Sequence, residues 1–305
     1  MVYYTMTVRS IPDLIQQCKP KVKPATLKAY FYSIKRAAPL GIQKKLGSGL
    51  SVNPVSIDWI SRHAAVIKRL SQLSPAVQKT TVTALQVVTN CLYGDEDPSY
   101  LAYSNLADSL RVTIEKKDAL HEKSPTQEEN WTTMEVLYMA LQEMPTDTPM
   151  EKKRRLIAAL YTLQPPARNN YGEMELIEQG EPLEEDVNYL IMKDEKPYEF
   201  FFQDFKNVKS RGFVTVPLDK DMFTELEAYL NGRTTGYLFD GSLSKTQVSS
   251  YLAIAFKPTG KKITINLIRH IVASNAVDIT KREMQSTLAA GMMHCSATQV
   301  NYAKA

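Results

Sequence analysis

One stretch of strand-forming residues interrupts a chain whose apolar pattern is otherwise helical, and this limits the folds open to it. β-branched and aromatic residues dominate three runs, Val187 to Met192, Glu199 to Phe205 and Phe213 to Leu218. Residues Asn207 to Gly212 supply turn chemistry between the last two runs. We therefore predict a short set of strands that includes a hairpin.

Helical spacing of apolar residues dominates on both sides of these strands. Before them it predicts helices at about 25–38, 56–71, 75–93 and 99–117. After them it predicts helices at about 219–230, 244–256, 264–277 and 280–293, and a short one that carries Tyr302. The predicted fold is mainly α with a small sheet.

Charge is distributed unevenly along the chain. Residues 1–80 hold 13 Lys and Arg against 2 Asp and Glu, whereas residues 126–305 hold 20 against 24. A basic part joined to a near-neutral part suits a protein that grips a phosphate backbone mostly with its first part. We expect a helical DNA-binding domain in residues 1–120, a polar linker in 121–130 and a second domain in 131–305.

The first clear helix can pack and bind at once. Leu27, Tyr30 and Ile34 fall at helical spacing, so the neighbouring basic residues lie on other faces. The candidate phosphate contacts of the first domain are Lys21, Lys23, Lys28, Lys35, Arg36, Lys68 and Arg69.

Several other classes of protein are not expected. No segment approaches the length of apolar sequence that spans a membrane, and polar residues occur throughout residues 1–12, so we expect a soluble intracellular chain. Cys18, Cys91 and Cys295 are odd in number and widely spaced, which suggests neither a disulfide framework nor a zinc site. Without a Gly-rich phosphate loop or an acidic cluster, no ATP, metal or other cofactor is expected.

Four side chains suited to phosphodiester chemistry follow in order: Arg168, Arg269, His294 and Tyr302. A guanidinium stays charged and offers a planar fork of donors matched to phosphate oxygens, where transition-state charge is held. A tyrosine hydroxyl can act as a covalent nucleophile and divide one difficult transfer into two easier ones.

This order resembles the active site of the tyrosine recombinase (phage integrase) family. The Pro-Pro-x-Arg-Asn-x-Tyr motif of residues 165–171 resembles the family's motif around its first arginine, which we call the arginine box. It looks most like the motif of divergent members from large DNA viruses and related mobile elements. The motif of residues 123–131 looks like that of the same subgroup. The resemblance implies a helical core-binding (SAM-like) domain, followed by an α+β catalytic domain with a small antiparallel sheet.

The resemblance also assigns further residues. Lys206 or Lys209, which flank the hairpin turn, would protonate the leaving 5′ oxygen, and the sequence does not separate them. The family usually has His or Lys three residues before the second arginine, where this chain has Asn266. An amide can donate a hydrogen bond to a phosphoryl oxygen but cannot shuttle a proton near neutral pH. His270 directly follows that arginine on the helix, so we expect it to face elsewhere.

The mechanism implied by the family starts with attack of Tyr302 on a phosphate of double-stranded DNA. This gives a 3′-phosphotyrosyl bond and a free 5′ hydroxyl, and no high-energy cofactor is needed. Four protomers on two DNA sites would exchange strands through a four-way junction. Only three residues follow Tyr302, whereas many family members continue into a helix that docks on a neighbour, so either this contact is missing or the natural chain is longer.

Three alternatives remain open at this stage. Type IB topoisomerases use the same chemistry but rejoin the strand to itself, and telomere or hairpin resolvases are a further variant. A catalytically weak architectural DNA-binding protein is the alternative from another class, favoured by Asn266 and by the short tail. The compact length and the two-domain layout favour a recombinase.

Overall fold

A computed structural model describes residues 7–8, 11–46, 55–275 and 292. The chain divides into two compact units, Met1–Leu120 and His121–Ala305, which we describe separately. Among the described residues, no helix combines the length and apolar character needed to cross a membrane.

The first unit is helical. Its helices are α1 (Ile11–Cys18), α2 (Pro24–Ala37), α3 (Leu40–Lys45), α4 (His63–Leu70), α5 (Pro75–Tyr93) and α6 (Pro98–Ala119), with a 3-10 turn at Asp58–Ile60. The short strands β1 (Thr7–Val8) and β2 (Val55–Ser56) pair antiparallel.

Local sequence explains where the helices of the first unit begin and end. Proline occupies the first helical position of α2, α5 and α6, where its missing N–H costs nothing. Gly94, with a φ of 86°, ends α5. The helix predicted at 56–71 is shorter, because the 3-10 turn precedes α4 and the Ile60 carbonyl accepts a hydrogen bond from the buried Tyr103 hydroxyl at 2.7 Å.

A disulfide links two helices of the first unit, although the sequence suggested no disulfide. Cys18 ends α1 and Cys91 lies in the last turn of α5, with 5.7 Å between their Cα atoms. The two helices pack against each other, which brings together residues that are 73 positions apart. Spacing along the chain does not reveal such a pairing.

The second unit contains the sheet. Its helices are α7 (Pro125–Asn130), α8 (Met134–Gln142), α9 (Pro149–Thr162), α10 (Val208–Arg211), α11 (Lys220–Leu230), α12 (Lys245–Ala255) and α13 (Ile265–Asn275), with a 3-10 turn at Lys257–Thr259. Its strands are β3 (Glu175–Glu178), β4 (Tyr189–Lys193), β5 (Lys196–Phe202), β6 (Val214–Pro217) and β7 (Gly236–Tyr237).

The five strands form one mixed sheet in the order β6-β5-β4-β3-β7. The predicted hairpin is β5 and β6, which pair antiparallel with Phe200 opposite Val216. The expectation of a purely antiparallel sheet needs correction, because β3 and β4 run parallel. Residues 179–188 connect the end of β3 to the start of β4.

Helices cover one face of this sheet. Phe200 and Phe202 of β5 are buried there against the ring of Tyr171, at 5.5 and 5.6 Å between centroids. Ile177, Tyr189 and the neighbouring apolar residues form a smaller cluster apart from this core. Capping boxes begin α7, α9 and α12, which explains why the helices start where they do.

The segment predicted as a linker, 121–130, contains α7 and groups with the second unit. The side chain of Ser124 accepts a hydrogen bond from the backbone N–H of Gln127, and the Ser124 N–H donates back to the Gln127 side chain. The polar composition that suggested a linker is therefore, in part, the cap of a helix. The Thr133 side chain accepts a hydrogen bond from the Val136 N–H and caps the following helix, α8.

Candidate active site

The loop after α9, residues 163–174, is the centre of the candidate site, and it carries Arg168. The preceding helix presents the buried Tyr161, whose hydroxyl donates to the Arg168 carbonyl at 3.3 Å. Gln164 donates to the hydroxyl of buried Tyr171 at 2.7 Å. These two hydrogen bonds tie both ends of the arginine box to the core.

Asparagine side chains attach this loop to two other elements. Asn169 donates to the Lys245 carbonyl at the start of α12 at 2.5 Å. Asn170 donates to the Asp204 carbonyl, just after β5, at 2.8 Å. Asn188 donates to both the Asn170 carbonyl (3.3 Å) and the Asp204 carbonyl (3.0 Å). The loop around Arg168 is thereby fixed beside the segment that leads to Lys206.

Gly172 allows the closest approach in the loop. Its carbonyl accepts a hydrogen bond from the Leu243 N–H at 2.8 Å, and a Cβ at this position would lie 2.1 Å from the Leu243 carbonyl oxygen. A side chain does not fit without movement of backbone. The Asn-Asn-Tyr-Gly sequence from Asn169 therefore specifies the position of the loop.

Arg269, the second predicted arginine, is fully buried, with 0% of its surface exposed. It lies on α13 and donates from Nη1 to the Pro166 carbonyl, two residues before Arg168. Its Nη2 donates to the Met292 carbonyl at 3.0 Å. Arg269 thus connects the arginine box to a segment more than a hundred residues further along the chain.

The charge of Arg269 is felt by two buried tyrosines. Burial raises the pKa of Tyr161 and of Tyr171, and the positive charge of Arg269 opposes this rise in both. At Tyr171 the hydrogen bond from Gln164 also lowers the pKa. Both phenols are buried and hydrogen-bonded to the arginine loop, which suits a structural role.

Arg168 is less buried than Arg269. Its side chain is half-buried, and its Nε is shielded from solvent without a hydrogen-bond partner among the described residues. The Nε of Arg269 is shielded in the same way, so the two arginines differ in burial and in the two carbonyls that Arg269 engages. Of the two predicted arginines, Arg168 is the better placed to receive a phosphate.

The predicted general acids lie on the turn between β5 and β6. Lys206 and Lys209 are both exposed, and Lys209 belongs to the single-turn helix α10. Gly212, with a φ of 74°, ends α10 and returns the chain to β6. The Asp204 carbonyl anchors the Arg168 loop. Lys206 is two residues from Asp204 along the chain and Lys209 is five, so Lys206 lies nearer to this anchor in the sequence.

Asn266 and His270 lie one helical turn apart on α13 and line a common cavity of about 280 Å³. Gln127 and Asn130 of α7 and the exposed Lys262 line the same cavity. The Lys262 N–H donates to the Asn130 side chain at 2.7 Å, which joins α7 to the start of α13. Because Arg269 points into the core, this polar cavity is a separate surface, as expected for the neighbour of a buried helical residue.

A second cavity, of about 260 Å³, lies on another side of the arginine loop. Asn169 and Asn170 line it together with Glu173, Glu175 and Asp204. The negative charge of these carboxylates disfavours a phosphate in this cavity. No group of three or more metal-ligating side chains occurs within the residues that the structure describes.

The basic residues predicted in the first unit differ in what they contact. Lys28 and Arg36 are exposed on α2, and Lys68 is exposed on α4. Arg69 is half-buried and donates from Nη1 to the Ala37 carbonyl, at the end of α2. Arg69 therefore caps a helix, whatever it contributes to binding. Two further candidates, Lys21 and Lys23, are exposed just before α2, and Lys35 is half-buried within it.

His294 and Tyr302, the predicted phosphate ligand and nucleophile, lie outside the described residues, as do Cys295 and the helices predicted at 280–293 and around Tyr302. Both assignments remain predictions. Met292, whose carbonyl accepts from Arg269, precedes His294 by two residues in the sequence.

Comparison with known proteins was made by sequence and by structure. Searches with family models and against curated protein sequences found no match. The structure is similar to that of the Tn1549 transposon integrase in complex with circular intermediate DNA, with a TM-score of 0.50 and 13% identity over 98% of this chain and 96% of that one. The chain has a tyrosine-recombinase fold.

Two further solved structures are similar at lower scores. The XerA recombinase matches with a TM-score of 0.42 and 15% identity, over 96% of this chain and 92% of that one. Protelomerase tela, covalently complexed with substrate DNA, matches with a TM-score of 0.46 and 14% identity, over 98% and 96%. The similarity to the Tn1549 integrase, at 13% identity, concerns the fold, and the mainly helical fold with a small sheet that the sequence predicted is confirmed.

Sequence reasoning missed the residues that position the site. Asn188 is buried, and its Oδ1 also accepts from the N–H groups of Gln203 (2.9 Å) and Asp204 (2.8 Å). An asparagine inside a predicted apolar strand was the available signal, because a buried amide needs hydrogen-bond partners.

Proposed function

We propose that this chain cleaves and rejoins DNA strands as a tyrosine recombinase, with Tyr302 as the nucleophile. One observation carries the proposal. The loop that holds Arg168 contacts Arg269 through the Pro166 carbonyl and the approach to Lys206 through the Asp204 carbonyl. These contacts support a single site for two arginines that lie far apart in the sequence, Arg168 and Arg269.

Each residue then has a role set by its chemistry. Arg168 binds the non-bridging oxygens of the scissile phosphate, since the Arg269 guanidinium already donates to two backbone carbonyls. Arg269 holds the arginine loop through the Pro166 carbonyl and adds positive charge from the buried side of the loop. His294 donates a further hydrogen bond to the phosphate. Asn266 lines the cavity between α7 and α13 and has no part in this step.

The reaction follows in two balanced steps. The Tyr302 hydroxyl loses its proton to solvent water as its oxygen attacks phosphorus, the bond to the 5′ oxygen breaks, and Lys206 or Lys209 gives that oxygen a proton. In the second step a 5′ hydroxyl gives its proton back to the lysine and attacks phosphorus, and the bond to the Tyr302 oxygen breaks. The released phenolate takes a proton from water. Transfer to a partner strand gives recombination or integration, with four protomers on two duplexes, inside a host cell that carries a virus or mobile element.

The structural relative supports this proposal through its ligand. The Tn1549 integrase was solved with circular intermediate DNA, and this chain shares its fold over nearly its whole length. The basic first unit offers exposed Lys28 and Arg36 on one helix, which suits contact with a phosphate backbone. Return of the strand to itself, as in a type IB topoisomerase or a hairpin resolvase, would use the same residues.

The burial of Arg269 favours a second candidate, an architectural DNA-binding protein without cleavage activity. A guanidinium engaged by two carbonyls is less available to a phosphate than an exposed one. Such a protein would bind DNA through the first unit and keep the second unit as a scaffold.

A covalent-trapping experiment separates the two candidates. The wild-type chain and Tyr302→Phe are incubated with nicked suicide duplexes and resolved on a denaturing gel, with Tyr198→Phe as the control because Tyr198 is an exposed phenol on β5. Recombinase chemistry requires a covalent band in the wild type and in Tyr198→Phe that disappears in Tyr302→Phe. Equal DNA binding by all three, with no covalent band, supports the architectural candidate.

A further inference from the structure

Phe213 is the most exposed aromatic side chain among the described residues, with 67% of its surface accessible. It directly follows Gly212 at the end of the β5–β6 turn and precedes β6. Neither of the proposed catalytic roles of this turn uses it. Single exposed apolar side chains are common on protein surfaces, so the neighbours of Phe213 decide whether it has a role.

The pleat of β6 explains where Phe213 points. Val214 and Val216 pack on the helix-covered core, so Phe213 and Thr215 face the opposite side of the sheet. Thr215 is exposed there, which shows that this face tolerates a small polar residue. Phe213 is supported on one side by the ring of Phe201, at 5.6 Å between centroids.

Folding therefore gains little from Phe213, since most of its ring remains in water. Its neighbours indicate what it meets instead. Lys206 and Lys209 are exposed on the same turn. Positive charge beside an accessible aromatic ring suits a single-stranded or opened nucleic acid, which offers both phosphates and the faces of bases.

We propose that Phe213 stacks on an unpaired base of the DNA held at this turn. The inference rests on the proposed function, because it needs DNA at the lysines. The lysines contact the backbone, and the ring occupies the space beside a base that has left the duplex stack. An apolar side chain in this position stabilises locally opened DNA next to the scissile phosphate.

The test compares binding of two DNA probes by the full chain. One is a fully paired duplex, and the other is the same duplex with a short mismatched bubble that contains 2-aminopurine, a base whose fluorescence falls on stacking. We expect the wild type to prefer the bubble, and Phe213→Ala to bind the bubble about tenfold more weakly while binding the paired duplex unchanged. Phe213→Trp should keep the preference and the fluorescence change.

Matched variants isolate the contribution of the ring. Leu183→Ala removes an apolar side chain that is 43% exposed in the same unit but outside the turn, and it should bind like the wild type. Lys209→Gln should weaken binding to both probes alike, because it removes a cation that binds phosphate. All variants should keep the wild-type melting temperature, since none of these side chains is buried.

Three results overturn the inference. In the first, Phe213→Ala binds the bubble as the wild type does, and in the second it weakens binding to both probes equally. In the third, it changes the sedimentation of the free protein and leaves DNA binding intact, which makes the ring a contact between protein chains. In each of these results the proposed function stands, whereas a wild-type chain that binds neither probe removes the proposed function as well.

Discussion

The two basic parts of the candidate site are held in opposite ways. Arg269 lies in the interior, where backbone carbonyls of Pro166 and Met292 fix its guanidinium. Lys206 and Lys209 stand in solvent on the β5–β6 turn. The buried cation is already organised, whereas under the proposed function we expect bound DNA to order the exposed cations. Substitutions on the two sides should therefore affect different measurements.

The largest expected effect concerns the exposed lysines. Replacement of the general acid by alanine should slow formation of the covalent complex by about 10²- to 10⁴-fold, because the 5′ oxygen is a poor leaving group without a proton. We expect this loss in Lys206→Ala, given its shorter path to the arginine loop, and a smaller loss in Lys209→Ala. The rates are measured on a suicide duplex.

A sulfur substitution identifies the acid directly. With a 5′-bridging phosphorothioate the leaving group is a thiolate, which departs without protonation. This substrate should restore the rate of the variant that lacks the acid and not that of Arg168→Ala. If neither lysine variant is rescued, the turn does not supply the proton.

On the buried side, Arg269→Ala should lower the free energy of unfolding by roughly 3 kcal/mol, because two buried carbonyls lose their donor. Chemical denaturation measures the loss, with Lys220→Ala, an exposed residue at the start of α11, as the control. Wild-type stability in Arg269→Ala would contradict the structural role, and would leave Arg269 as a phosphate ligand only.

Gly172→Ala tests whether stability and cleavage depend on the close packing of the arginine loop against Leu243. The new Cβ meets the Leu243 carbonyl oxygen at 2.1 Å, so the backbone must shift, at a cost of about 2 kcal/mol. Gly41→Ala, where no atom lies within 4 Å of the added Cβ, provides the matched control. We expect reduced stability and slower cleavage in Gly172→Ala, and a loop that yields freely would show neither.

The smallest expected effect concerns the first unit, where exposed and half-buried basic residues can be compared in the same way. Removal of the exposed side chains of Lys28 and Arg36 should reduce the salt dependence of DNA binding, by roughly 1 in slope for each phosphate that the protein no longer neutralises. Arg69→Ala should leave the slope unchanged and lower stability by about 1 kcal/mol, since Arg69 serves the Ala37 carbonyl. A reversed pattern in titrations at several salt concentrations would assign Arg69 to the DNA.

Local chemistry explains what the sequence predicted well. The strand character around Phe200 and the turn before Gly212 are encoded within a few residues, so the hairpin was predictable. Strand β3 was missed because Glu175–Glu178 has only two apolar residues between charged ends. Strand β7 has two residues, too few for any pattern.

Long-range partners explain what the sequence did not predict. The hydrogen bond of Arg269 to Pro166 spans 103 positions, and its burial depends on packing that no local pattern records. The same holds for the hydrogen bonds of Asn188 and for the pairing of Cys18 with Cys91. The types of the residues identified the candidate chemistry. Only the tertiary structure shows which of these side chains already form hydrogen bonds within the protein.

Strand β6 forms one edge of the sheet, so its outer backbone groups offer a template for another strand. Pro217 at the end of this strand and the lysines at its entrance oppose such pairing by removing a donor and by mutual repulsion. The residues proposed to meet DNA therefore also keep free chains apart. Variants that neutralise this turn should aggregate more readily, and light scattering should accompany every measurement made with them.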